Sequence, residues 1–206
     1  MTDHVFKILV TGPFAAGKTS LIQSVSQTPV VSTDVVTSGD ESEVKDATTV
    51  AMDFGTYAIE DDAIRLLIFG TPGQPRFRFM TNILKGDVDI VTFVVNAEAR
   101  ETHPSAGVEL RSLLADLRVP AVVAVNRCDD QDEAEKIARS LGATDVARVI
   151  PCQLIDEDSG REVVIEILTT LLERMEDDES DDDESDDDET AAADDDAERP
   201  LEAVTA

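Results

Sequence analysis

Residues 12–19 read Gly12-Pro13-Phe14-Ala15-Ala16-Gly17-Lys18-Thr19, and this G-x-x-x-x-G-K-T run constrains the chain more than any other stretch. A multiply charged anion such as a triphosphate needs several backbone N–H groups aimed at one point, together with a cation and a metal ligand. Glycines at both ends let the backbone curl closely around the phosphates, and a helix that follows directs its positive end at them. Lys18 would neutralise the β and γ phosphates, and the Thr19 hydroxyl would hold Mg²⁺. This reading requires a strand before the loop and a helix after it. Residues 5–10 are apolar and β-branched, and residues 19–25 set Leu21, Ile22 and Val25 on one side of a helix. The run is read as a phosphate cradle, with Gly12, Phe14, Ala15, Ala16, Gly17, Lys18, Thr19 and Ser20 as its candidate contacts.

The remainder alternates strands and helices. Residues 27–47 are polar, with Gly39 in their midst, and read as a mobile loop well beyond the usual connection length. A strand ending near Ile59, a turn at Glu60-Asp61-Asp62 and a returning strand over residues 64–69 form a hairpin, which runs into Gly70-Thr71-Pro72-Gly73-Gln74. Residues 90–95 and 121–125 are continuous apolar runs, as expected of strands covered on both faces. Helices are predicted over residues 76–84, 106–117, 131–141 and 159–175, and a short strand over 147–150. The pattern predicts an α/β fold, a mostly parallel, doubly wound, six-stranded sheet with one antiparallel hairpin. Ligand loops then emerge at the carboxyl ends of the strands, as the cradle and the loops at 70–74, 126–129 and 151–153 all do.

Composition divides the chain into a domain at 1–175 and an acidic tail at 176–206. The tail holds 17 acidic residues and one arginine, a net of −16 out of −28 for the whole protein, and is too charged and too poor in apolar residues to fold. The rest carries −12, with 5 lysines against 12 arginines in the whole chain, a balance suited to a cytosol of very high salt. Nucleic-acid and anionic-membrane surfaces are excluded as partners, because both need clustered Lys and Arg. Two cysteines, Cys128 and Cys152, make no disulfide framework, and no signal segment or lipidation motif is recognised. A cytoplasmic protein with no direct membrane anchor is expected.

Asn126-Arg127-Cys128-Asp129 selects the nucleotide. A carboxylate accepts two parallel hydrogen bonds, and guanine offers N1–H and N2–H₂ on one edge, where adenine has an acceptor in place of the first. Asp129 would pair with guanine and be left poorly paired by adenine. Asn126 would either reach the opposite edge of the base or tether the phosphate loop. The tetrapeptide lies 108 residues beyond Lys18, directly after a buried strand.

With these motifs in order, residues 5–175 resemble the Ras-like small GTPases of the P-loop NTPase fold, and most of all a prokaryotic subgroup found in bacteria and archaea. The resemblance implies a GTP-binding switch that hydrolyses GTP to GDP with Mg²⁺, working through effector and regulator proteins. It makes Thr49 a second metal ligand and sensor of the γ-phosphate. It makes Gly73 a backbone donor to that phosphate and Gln74 the residue that orients the attacking water, with Lys18 beside it. Arg127 would cover the base with its stem, and the Cys152 N–H would meet guanine O6. The chain departs from the family pattern at Gly70, where an aspartate supports Mg²⁺, and at Phe14, where a glycine leaves room for a partner's arginine. Metal support then comes from Thr19, Thr49, phosphates and water, or from another carboxylate such as Asp53. Arg76 and Arg78 would supply a cation from within the chain or serve as surface arginines. These departures motivate a second reading, a guanine-nucleotide-binding interaction module with little or no hydrolysis.

Overall fold

A computed structural model describes residues 4–32, 52–59, 63–74, 78–143 and 147–183. By its contacts the chain divides into two units, residues 1–172 and 173–206. The first is a sheet of order β2-β3-β4-β1-β5-β6-β7 with helices on both faces. Its strands are β1 (His4–Thr11), β2 (Val31–Ser32), β3 (Asp53–Ile59), β4 (Ile64–Gly70), β5 (Ile90–Asn96), β6 (Ala121–Asn126) and β7 (Arg148–Cys152). The six expected strands are present, with β3 and β4 antiparallel and β4-β1-β5-β6-β7 parallel. The two-residue β2 adds a seventh, antiparallel to β3.

The helices are α1 (Lys18–Val25), α2 (Arg78–Leu84), α3 (His103–Asp116), α4 (Gln131–Leu141) and α5 (Glu157–Asp183). Leu21, Ile22 and Val25 of α1 and Val163, Val164, Ile167 and Leu171 of α5 close one apolar layer over Ile8, Val10, Ile90, Val94, Val122 and Ala124. Leu110 and Leu113 of α3 and Ala134, Ala138 and Leu141 of α4 close the other, over Leu9, Val91, Phe93, Val95, Val123 and Val125. Adjacent residues of β1, β5 and β6 thus go to opposite layers, which is why these strands read as continuous apolar runs and not as alternation.

Element ends follow local chemistry. Asp130 caps α4 by accepting from Glu133 N at 2.7 Å, and Gly142 ends it in a left-handed turn. α5 continues eight residues beyond Met175, into the segment expected as acidic tail, because no glycine or proline interrupts the chain there. Gln27, expected to open a mobile loop, is instead tied to β3: its backbone N–H donates to Thr56 O at 2.9 Å, and its side chain bonds both the O and the N of Ala58. Thr49 and Arg76 lie outside the described residues. No helix among the described residues is long and apolar enough to cross a membrane.

Candidate functional site

The phosphate loop leaves β1 at Thr11 and enters α1 at Lys18. Gly12 (φ +129°), Ala15 (φ +58°) and Gly17 (φ +114°) take left-handed or related conformations, which turn successive N–H groups inward. A Cβ on Gly17 would run into the Asn126 amide, so glycine is required there for space as well as for φ. Unlike α4, α1 has no side-chain cap and no acidic residue in its first turn. Its leading N–H groups and the positive end of its dipole are left to the cleft.

Lys18 is buried and donates to Gly12 O at 2.8 Å and Pro13 O at 2.6 Å. Burial lowers its pKa to about 8, opposed by the charges of Glu109 and Asp53. Burial is the larger effect, so a further negative charge in the cleft would stabilise the ammonium. The cleft around it measures about 290 Å³ and is lined by residues 14–20, Asp53 and residues 70–74. Gly73 lies so close to the loop that a Cβ there would collide with Phe14 N, Pro13 C and Lys18 Nζ. The Phe14 ring is 68% exposed at the mouth of the cleft.

Asp53 lies beside Gly70. The two residues face each other in the β3–β4 ladder, and Thr19 Oγ1 donates to Asp53 Oδ2 at 2.6 Å. A carboxylate therefore stands beside the cradle threonine, carried on the neighbouring strand. A hydroxyl and a carboxylate are the hard oxygen donors that suit Mg²⁺. Among the described residues no group of three or more His, Cys, Asp or Glu side chains is placed to hold a metal ion.

The base loop is built from side-chain bonds to backbone. Asn126 Nδ2 donates to Ala16 O at 2.9 Å, while its Oδ1 accepts from Arg127 N at 2.9 Å and Leu154 N at 3.1 Å. Of the two roles expected for Asn126, the structure displays the tether to the phosphate loop. Asp129 Oδ1 accepts from Gln153 Nε2 at 2.9 Å. Arg127 sits at φ +60° and pairs with Glu98 at 2.7 Å. Cys152 closes β7 level with Asn126, and its thiol is buried in the core, where desolvation pushes its pKa up to about 12. Burial likewise raises Cys128.

A family model described as "Conserved hypothetical ATP binding protein" matches residues 29–188. The chain belongs to that family. The match takes in Asp53, Gly73, Gln74 and the base loop, whereas the phosphate loop precedes it. The chain is also 26% identical over 157 residues to the Ras-related protein Rab-7L1 of Homo sapiens, covering 69% of this chain and 71% of that protein. It is 29% identical over 132 residues to the uncharacterized protein MJ1339 of Methanocaldococcus jannaschii, 64% of this chain and 76% of that one. It is 29% identical over 163 residues to the GTP-binding protein RHO4 of Eremothecium gossypii, 68% of this chain and 56% of that one. With the sheet order and the cradle, these likenesses align this member of the ATP-binding-protein family with the Ras-like superfamily at low identity.

Gln153, Leu154 and Glu98 escaped the reading of the sequence. They belong to no short motif and join the site through turns whose course only the fold sets. Gln153 directly after Cys152 was the one visible signal.

Proposed function

We propose that this chain is a cytoplasmic GTP-binding molecular switch of the prokaryotic subgroup that hydrolyses GTP to GDP with Mg²⁺. The observation that carries this reading is the Asn126 bridge, which joins the base loop to the phosphate cradle at Ala16 and presents Asp129 beside it. Asp129 offers two acceptors, matched to guanine N1–H and N2–H₂, and the Gln153 amide occupies one of them as a donor of similar kind. Arg127 and the Cys152 N–H complete the base contacts. Two buried, unlinked thiols suit a reducing compartment.

Lys18 would turn from the Gly12 and Pro13 carbonyls to the β and γ phosphates, whose charge would raise its pKa again. Gly73 would donate its N–H to the third phosphate from beside Phe14, and Gln74 would hold the attacking water. Thr19 with Asp53, and Thr49 from outside the described residues, would hold Mg²⁺, which supplies charge neutralisation of the phosphates when bound. Hydrolysis would release the Thr49 and Gly73 segments and so change the surface read by effector and regulator proteins. A second reading, a binding module with little hydrolysis, is favoured by Phe14, whose exposed ring crowds the approach of a partner's arginine to the cleft.

The test is nucleotide binding and single-turnover phosphate release in high potassium chloride, suited to so acidic a chain. GTP and GDP are expected to bind, ATP is expected not to compete, and Asp129→Asn is expected to lose at least tenfold in GTP affinity. Competition by ATP, which the family's description suggests, would overturn the guanine assignment. Phosphate release abolished by Gln74→Leu supports the switch, whereas binding without release over hours supports the module.

A further inference from the structure

Three threonine hydroxyls form a closed ring beside the phosphate cleft, which Thr71 also lines. Thr71 Oγ1 donates to Thr11 Oγ1 at 2.9 Å, Thr81 Oγ1 donates to Thr71 Oγ1 at 3.3 Å, and Thr11 and Thr81 are 3.1 Å apart. With Thr81 donating to Thr71, the bond between Thr11 and Thr81 has Thr11 as its donor, which closes the ring; Thr71 Oγ1 also reaches Val10 O as a longer second acceptor at 3.5 Å. All three side chains are buried, at 1%, 3% and 8% exposure for Thr11, Thr71 and Thr81. In such surroundings a closed ring is mutually polarising, and opening it leaves a buried hydroxyl without a partner.

Their positions along the chain give the ring its consequence. Thr11 is the last residue of β1, directly before Gly12 of the phosphate loop. Thr71 opens the segment that carries Gly73 and Gln74, and its N–H also donates to Val10 O at 2.9 Å. Thr81 lies in α2, a seven-residue helix too short to hold itself in place. The two ends of the segment from Thr71 to Thr81 are thereby held at one point, next to the loop against which Gly73 packs. Hydrophobic packing of α2 would fix its distance from the sheet, but only directional bonds fix where along β1 both ends of the segment sit.

We propose that the Thr11–Thr71–Thr81 hydroxyl ring positions the Gly73–Gln74 segment against the phosphate loop, so that Thr81, which does not itself line the cleft, sets the preference for a nucleoside triphosphate over a diphosphate. The inference rests on the nucleotide-switch reading above. Thr71 lines the cleft, whereas Thr11 and Thr81 are not among its lining residues. They act through the segment that would bond the third phosphate.

Thr81→Val removes the hydroxyl at constant shape, and Thr81→Ser keeps it while losing a methyl. The full-length protein and both variants are first compared by amide hydrogen exchange without nucleotide. Thr81→Val is expected to speed exchange about tenfold at Thr71, Gly73 and Gln74, leaving β6 and α4 unchanged, while Thr81→Ser stays close to wild type. Affinities for GDP and for a non-hydrolysable GTP analogue are then measured. Thr81→Val is expected to weaken the analogue about tenfold and GDP less than twofold, with Thr81→Ser restoring the ratio. Equal weakening of both nucleotides, an unchanged ratio, or a serine variant as impaired as the valine variant would overturn the proposal. If the wild type binds neither nucleotide, the switch reading has failed, and unchanged exchange at residues 71–74 in Thr81→Val would then sink the ring on its own.

Discussion

At the phosphate end Gly12, Ala15 and Gly17 all hold positive φ, and a buried ammonium makes do with two carbonyls; at the base end Arg127 has positive φ, and the polar groups are already paired. The cradle therefore stores an unfavourable charge that an anion would relieve, with backbone geometry set in advance. The base loop stores little. Asn126, with bonds to the phosphate loop, to the residue after itself and to Leu154, is a built-in brace. If the proposed function holds, affinity and selectivity are separable: the phosphate end would supply the drive to bind and the base end a preformed acceptor. Asn126 is bonded to both.

The sharpest way to break this division is Asn126→Ala. It leaves Ala16 O, Leu154 N and Arg127 N without their buried partner, and a loss of about 3 kcal/mol in stability is expected by chemical denaturation, with nucleotide binding lost as well. If stability is unaffected and only base selectivity falls, the bridge is not a brace. Lys18 tests the stored charge. Its folded pKa near 8 lies below the ordinary 10.5, so between those values the unfolded chain holds more protons than the folded one. The cost of the buried ammonium is present in full below pH 8 and is relieved as pH rises toward 10.5, a gain on the order of 3 kcal/mol. Denaturant unfolding of the nucleotide-free protein should show this rise relative to Lys18→Met, in which that component of the pH dependence is absent. A parallel pair of curves would refute the stored-charge account.

Asp53→Asn addresses the metal side of the phosphate end. The Mg²⁺ concentration needed for half-maximal nucleotide binding should rise about tenfold, while binding measured in chelator stays within twofold. An equal loss in both conditions would make Asp53 a structural partner of Thr19 and nothing more. Thr92 serves as a control remote from both ends. Its hydroxyl, in the middle of β5, is fully buried and without a hydrogen-bond partner among the described residues. Thr92→Val should stabilise the protein by about 1 kcal/mol and leave both nucleotide affinities unchanged.

Much of the fold was legible because its signals are local. The apolar runs of β5 and β6 and the alternation of strand and helix specify a covered parallel sheet, and α4 covers the expected residues 131–141, where the structure adds Asp130 and Gly142 as its caps. The cradle was legible for the same reason, since its glycines, Lys18 and Thr19 are contiguous. Asp53 was named from the sequence only as one carboxylate that could stand in at Gly70, and what settled its place, like what stayed hidden, depends on residues distant in the chain. Asp53 and Gly70 meet because β3 and β4 pair in one register, and a slip of one residue would turn the carboxylate to the other face. The choice between the two roles for Asn126 required knowing that Ala16 O and Leu154 N both come within hydrogen-bond reach of its amide. Gln153 on Asp129 and the threonine ring have no spacing signature at all. The chain alone determined which residue types line the strand ends and therefore what class of ligand they suit, because backbone propensity and charge act over a few residues. Which carboxylate stands beside Thr19, and which hydroxyls pin the Gly73 segment, only the tertiary structure decided, because hydrogen bonds extend over about 3 Å and link whatever the sheet register brings together.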